Sequence, residues 1–218
     1  MAAMDRDEIG KMRRSYGEIG LREGELNSNP ISQFQLWLKE AAENPIVVEA
    51  NAMVLSTLDG DQPTTRTVLL KDVTEAGFTF FTNYKSAKSR AISESPKVSL
   101  LFPWYPLERQ VKVLGEAIRI EEADSDAYFA TRPWSSQIGA WASEQSAPLS
   151  SREELEDRWE DFAKKFPEGS EVPRPPHWGG FLVIPTMIEF WQGRYSRLHD
   201  RIRYHKSGSA WILGRFYP

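Results

Sequence analysis

Cysteine is absent from the 218 residues, which removes disulfides, thiolate nucleophiles and cysteine-ligated zinc together. Histidine is scarce: only His177, His199 and His205 occur, none with the ligand spacing of a zinc site, so no metal centre is expected. Long apolar runs are missing too. The longest stretch free of Asp, Glu, Lys and Arg runs from Pro175 to Ile188 and is broken by Pro and Gly, too short for a membrane-spanning helix. Nor is there a surplus of positive charge. Lys plus Arg number 27 against 31 Asp plus Glu, a net −4, so bulk charge points to neither a nucleic-acid nor an anionic-membrane partner. Met1 to Gly10 is acidic rather than basic-then-apolar, so no secretory signal is read there and a cytoplasmic protein is expected. No Gly-rich phosphate loop and no Gly-x-Ser-x-Gly elbow is present. With no nucleophile or metal of its own in evidence, redox work would need an organic cofactor.

What the chain does have is enough apolar matter for a core, including eight Trp and eleven Phe. Residues 1–29 are polar with little apolar periodicity and read as a mobile arm carrying the cluster Arg13-Arg14-Ser15-Tyr16; residues 30–218 read as one domain. Asn29 and Pro30 open a helix with Phe34, Trp37, Leu38 and Ala41 on one side. Strand patterns follow at Ala52–Leu58, Thr64–Lys71, Gly77–Thr82, Val98–Phe102 and Gln110–Ile120, with a hairpin turn at Asp59-Gly60-Asp61 and a bulge or bend at Gly115. A short basic helix, Lys85–Ser93, interrupts them. Helices are read at Glu122–Thr131, Ser135–Ser143 and Ser151–Phe166, the last opened by a capping box of Ser151 with Glu154. Strands return at Phe181–Ile184, Ile188–Gln192, Arg197–His205 and Ala210–Phe216. Strands without long helical crossovers point to an antiparallel, barrel-like sheet in a mainly β chain with flanking helices.

Four groupings draw chemical interest. In an extended strand Arg197, His199 and Arg201 share a face, and three cationic or cationisable groups there repel unless an anion or a polarisable ring lies over them. A solvated edge is the plainer reading, and the two stand about level. Arg66 and Lys71 bracket an apolar run at an odd separation, so a regular strand sends them to opposite faces: they serve two anions, or one is idle. Lys88 and Arg90 sit near the start of a helix, where free N–H groups favour phosphate, although a solvated basic face is commoner for either alone. Arg132, with Tyr128 a turn earlier and Ser136 beyond Pro133, has the donors to grip a phosphate; taken singly, Tyr128 is more often a packing residue and Ser136 a cap. Gln110, Gln145, Ser146 and Trp191 say little by themselves.

Taken in order, Arg66–Lys71, Phe80-Phe81-Thr82-Asn83, Ser99–Trp104, Leu107–Val111, Ser136–Trp141, Glu189-Phe190-Trp191-Gln192-Gly193 and Arg197–Arg201 resemble the pyridoxine/pyridoxamine 5′-phosphate oxidase family, over nearly the whole chain. The resemblance implies an FMN-binding split β-barrel in a homodimer with the flavin at the interface. It implies oxidation of pyridoxine or pyridoxamine 5′-phosphate to pyridoxal 5′-phosphate, by hydride transfer to flavin N5 and reduction of O2 to H2O2. Carried over, Arg66 and Lys88 would hold the FMN phosphate, with Phe81 and Thr82 beside it and Thr67, Val68, Leu69, Leu70 and Lys71 along the cofactor. Gln110, Gln145, Ser146, Trp191 and Arg201 would hold the rest of the flavin. Lys71, Tyr128, Arg132 and Ser136 would take the substrate phosphate, Arg197 and His199 would flank its ring as the catalytic pair, and Arg13, Arg14 and Tyr16 would form a lid. One departure stands out: Ser86-Ala87-Lys88 replaces the family's Ser-Arg-Lys, which removes a phosphate fork. Two other readings are a flavin-binding or flavin-reductase relative without oxidase activity, and a carrier of B6 phosphates. A second phosphate site argues against the first.

Overall fold

The computed structural model describes residues 5–12 and 14–218. Its helices are α1 (Arg6–Lys11), α2 (Pro30–Glu43), α3 (Ala87–Glu94), α4 (Glu122–Ala130), α5 (Trp134–Ala142) and α6 (Arg152–Lys165). Its strands are β1 (Ala52–Asp59), β2 (Gln62–Leu69), β3 (Asp72–Thr74), β4 (Gly77–Asn83), β5 (Lys97–Trp104), β6 (Arg109–Arg119), β7 (Trp178–Gln192), β8 (Asp200–Ser207) and β9 (Ala210–Phe216). Asn29 caps α2 through its side-chain oxygen, which accepts from Ile31 N at 2.8 Å, and Pro30 occupies the first helical position, where its missing N–H costs nothing. Ser151 caps α6 by accepting from Glu154 N, but the capping box is incomplete because the Glu154 carboxylate turns to Ser150.

All nine strands join one antiparallel sheet in the order β2-β1-β5-β6-β7-β4-β3, with β8 and β9 branching off at β7. The long β7 forks the sheet. Along one edge its first part, Trp178 to Val183, pairs with β4 and its last part, Met187 to Gln192, with β8, while β6 runs along its other edge. Two separate strands were expected here, since Pro185 cannot donate to a ladder. The strand survives because Pro185 sits at a bulge: Leu114 faces Met187, Gly115 faces Pro185, and Thr186 is the extra residue. Gly115 is required at this close approach, because a Cβ there would stand 2.2 Å from the Ile184 carbonyl oxygen.

Strand alternation fills the interior. Met53, Leu55, Leu100, Phe102, Val111, Val113, Phe190 and Ile202 are buried, and α2 covers them with Phe34, 4.9 Å from Phe78 and 4.8 Å from Phe102 between ring centres. Trp37 meets Phe190 edge-on. Each such side chain contributes about 1.5–3 kcal/mol by leaving water. A second cluster of Phe129, Ile138, Val172 and Trp178 fastens α4 and α5 to the start of β7, with Trp159 and Phe162 of α6 against it.

Where the sequence suggests a mobile arm, residues 14–29 lie along this framework. Leu21 is buried and its N–H donates to Asp200 Oδ2 at 2.9 Å, Tyr204 Oη donates to the Asn27 carbonyl at 2.7 Å, and Arg215 pairs with Glu23. A polar segment with few apolar residues is anchored here by hydrogen bonds, which hydrophobic periodicity does not register. Among the described residues no helix is long and apolar enough to cross a membrane.

Candidate active site

β2, β4, α3, α4, α5 and the loop after α5 enclose a cavity of about 670 Å³ whose lining includes Lys71, Lys88 and Arg132 and no carboxylate. Thr67, Val68, Leu69, Phe81, Thr82, Tyr128, Ser136 and Gln145 line it as well. Of the run proposed to follow the cofactor, only Leu70 turns away, into the core. Lys71 lies past the end of β2, held by its N–H to the Thr79 carbonyl at 2.9 Å, so strand parity does not govern it and the argument from opposite faces falls.

Arg132 is the sharpest feature of the cavity. Its guanidinium lies 4.7 Å from the Trp178 ring centre and 5.4 Å from that of Phe129, and Nη1 is buried without any hydrogen-bond partner. Burial lowers its pKa. A buried donor left open is costly, about 1–3 kcal/mol or more for a charged group, and marks a place made for an acceptor. Tyr128 stands beside it in a stack, 4.0 Å from Phe81, which in turn lies 5.3 Å from Trp178.

Lys88 is the second buried cation. Its Nζ donates to Gln145 Oε1 at 3.0 Å, Thr82 Oγ1 at 3.1 Å and Ser86 Oγ at 3.3 Å, all neutral. Burial, then the nearby Arg66 charge, pull its pKa down to about 8. Arg66 does not line the cavity: it donates to Thr57 Oγ1 and Thr64 Oγ1, each at 2.7 Å, and to the Leu55 carbonyl. Ser146 is also outside the lining, with a left-handed φ of 74°, and its Oγ accepts from Ala87 N at 3.2 Å.

A second set of residues gathers around the end of β7. Tyr16, Trp191 and His199 form a ring cluster, with centroids 5.8 Å (Tyr16 to Trp191), 5.3 Å (Tyr16 to His199) and 4.7 Å (Trp191 to His199) apart. Gly193 makes room for Tyr16, since a Cβ there would lie 2.6 Å from its ring. Arg14, Tyr16, Gln110 and Trp191 border a small cavity of about 100 Å³. His199 Nδ1 accepts from Arg194 N at 3.0 Å, which places the neutral ring's proton on Nε2; burial, then Arg197, lower its pKa. Arg13 lies outside the described residues.

The strand expected from Arg197 begins only at Asp200. Ser196 and Arg197 take left-handed φ values of 55° and 62°, so Arg197 leaves the alternation and stands exposed. Two successive non-glycine residues there are strained. Arg201 does lie on the strand, yet its guanidinium is engaged by Glu189, a residue the sequence reading passed over. The one signal was a lone carboxylate inside the apolar run Met187 to Trp191.

The family profile described as pyridoxamine 5′-phosphate oxidase matches residues 39–166, and the profile of the pyridoxine 5′-phosphate oxidase C-terminal dimerisation region matches 178–218. The chain belongs to the pyridoxamine 5′-phosphate oxidase family. A pyridoxine/pyridoxamine 5′-phosphate oxidase of Rubrobacter xylanophilus is 52% identical over 214 residues, covering 98% of each chain, and one of a Cyanothece species is 49% identical over 96% of this chain and 98% of its own. PhzG of Burkholderia lata, solved with tetrahydrophenazine-1-carboxylic acid, superposes with a TM-score of 0.86 at 28% identity, over 94% of this chain and all of its own. A pyridoxamine 5′-phosphate oxidase-related FMN-binding protein of Nostoc punctiforme shares the fold, with a TM-score of 0.68 at 16% identity over 85% of this chain and 97% of its own. The oxidase family's dimerisation region here comprises β7, β8, β9 and their connections, and carries Trp191 and His199 of the ring cluster.

Proposed function

We propose that the chain is an FMN-dependent oxidase that converts pyridoxine 5′-phosphate and pyridoxamine 5′-phosphate to pyridoxal 5′-phosphate in the cytoplasm. The observation that carries this reading is the carboxylate-free cavity with the unpartnered Arg132 Nη1. Cations without counter-ions fit phosphates, and the cavity has two such centres: the buried Lys88, and the half-buried Arg132 with the exposed Lys71. When bound, FMN would supply the acceptor for a hydride from substrate C4′; the electron pair would pass to O2, which with that hydrogen and the proton lost by the substrate becomes H2O2, and from the amine substrate water would release ammonia to leave the aldehyde. Everything else falls to the chain. Lys88, with Thr82 and Gln145 around it and Arg66 nearby, holds the cofactor phosphate; Lys71, Tyr128, Arg132 and Ser136 hold the substrate phosphate and so align C4′. Arg197 covers the substrate ring, and His199, with its proton on Nε2, orients the substrate there. A peroxide assay with pyridoxamine 5′-phosphate on the yellow holoprotein tests the reading: one H2O2 per pyridoxal 5′-phosphate is expected, and flavin binding without turnover would reduce the protein to a flavin carrier.

The cavity of Lys71, Lys88 and Arg132 and the small cavity beside the ring cluster share no lining residue. A homodimer that sets the cations of one copy against the ring cluster of the other completes both sites. Co-expression of Arg132→Met with Arg197→Met checks this. Each variant alone should keep under a tenth of the activity. Random pairing makes half the dimers mixed, each with one intact site, so about a quarter of parental activity should return. No recovery would place both halves of the site on the same copy.

A further inference from the structure

At the end of the sheet, three strands lay out a lattice. Gln110 of β6, Trp191 of β7 and Arg201 of β8 oppose one another in one row; Lys112, Glu189 and Arg203 form the next row on the same face, two residues along each strand. The first row comprises residues assigned above to the flavin. The second has no such assignment, and at its centre is Glu189, a carboxylate only 5% exposed.

Glu189 links the rows. Its Oε2 accepts from Arg201 Nη2 at 2.9 Å and from Arg203 Nε, its Oε1 accepts from Arg201 Nη2 at 3.2 Å, and Lys112 Nζ stands 3.4 Å away. Arg201 Nη1 donates to the Tyr217 carbonyl at 3.2 Å, so both ends of its fork are tied. Without the carboxylate, three neighbouring cations would repel, and Arg201, a long side chain with many rotamers, would swing toward water. Burial raises the Glu189 pKa, but the hydrogen bonds from Arg203 and Arg201 and the Lys112 charge outweigh it and hold the pKa below the usual value, so the group stays ionised at neutral pH. A buried charge of this kind is poor value as stabiliser, because an apolar residue of similar size often serves the fold equally well. Its specific effect is on the aim of the Arg201 guanidinium.

We propose that Glu189 is a positioning residue that holds the Arg201 guanidinium beside Trp191 for the flavin. This rests on the oxidase reading. Quenching of FMN fluorescence by the apoprotein measures it. Glu189→Gln should raise the Kd for FMN at least tenfold. Arg201→Ala should raise it by as much or more, and the double variant should match Arg201→Ala within about twofold, because Glu189 acts through Arg201. Arg203→Met, which removes the other close partner, should leave the Kd within about twofold. Losses that add in the double variant, or an Arg203→Met loss as large as that of Glu189→Gln, would reduce Glu189 to a structural ion. Should Glu189→Gln fail to fold, Glu189→Asp keeps the charge but withdraws it by one methylene, and the same tenfold loss is expected. A parent that binds FMN while the Glu189 variant equals it overturns this role alone; a parent that binds none overturns the oxidase reading and this role with it.

Discussion

Arg132→Met should raise KM for pyridoxamine 5′-phosphate about a hundredfold while FMN remains bound. The guanidinium sits against Trp178 and Phe129 with Nη1 unpartnered, and on the proposed function the substrate phosphate supplies the acceptor that its surroundings withhold. Truncating one partner of a buried, hydrogen-bonded charge pair typically costs about 2–5 kcal/mol, and 2.7 kcal/mol corresponds to roughly a hundredfold. Methionine keeps much of the volume and the contact with the rings, so the effect should fall on binding and not on folding. Unphosphorylated pyridoxine, which cannot use the anchor, should react equally poorly with both proteins. A rise in KM below about threefold would take Arg132 out of the substrate site.

Lys88→Met should weaken FMN binding by a similar factor and leave the apoprotein more stable. The sign follows from the pKa of about 8, depressed from 10.5 by burial and by Arg66. Between these two values the unfolded chain binds more protons than the folded one, so apoprotein stability climbs with pH across that window, and below pH 8 the buried charge is a burden of about 3 kcal/mol. A phosphate dianion relieves that burden. Above pH 8 binding must bring a proton back to Lys88, so FMN affinity should fall with rising pH, by at most about tenfold per unit. The methionine variant should show neither the stability slope nor the affinity slope. Calorimetry of the apoprotein and FMN titrations from pH 7 to 10 decide the matter; an unchanged affinity slope in the variant would assign the titration to another group.

The elements were largely legible from residue pattern alone, because caps, turns and alternation are local. Asn29-Pro30 marked α2, Asp59-Gly60 marked the first hairpin, and Gly115 marked the bulge. The cavity was legible only through resemblance. Tyr128, Arg132 and Ser136 lie close in sequence, but Lys71 and Lys88 belong to distant segments, and no local pattern tells that they converge on them. Failures came where tertiary structure overrides parity. Arg197 was read on a strand face but sits in a left-handed turn; Arg201 was read on the strand face where it lies, but its partner Glu189 was not; and residues 14–29 were read as loose because their ties are polar.

Thr186, the extra residue of the bulge, appears in neither half-site, and the ladder absorbs it as a local swelling: Pro185 still faces Gly115 and Met187 still faces Leu114. Because opposed residues share a face, Glu189 and Trp191 stay with Lys112 and Gln110, and Phe190 with the buried Val111, whether or not Thr186 is present. Its removal should therefore straighten the strand and spare the outward row. Loss of one residue between Met187 and Trp191 has no such absorber, and by the two-residue rhythm of strands it would turn Trp191 inward.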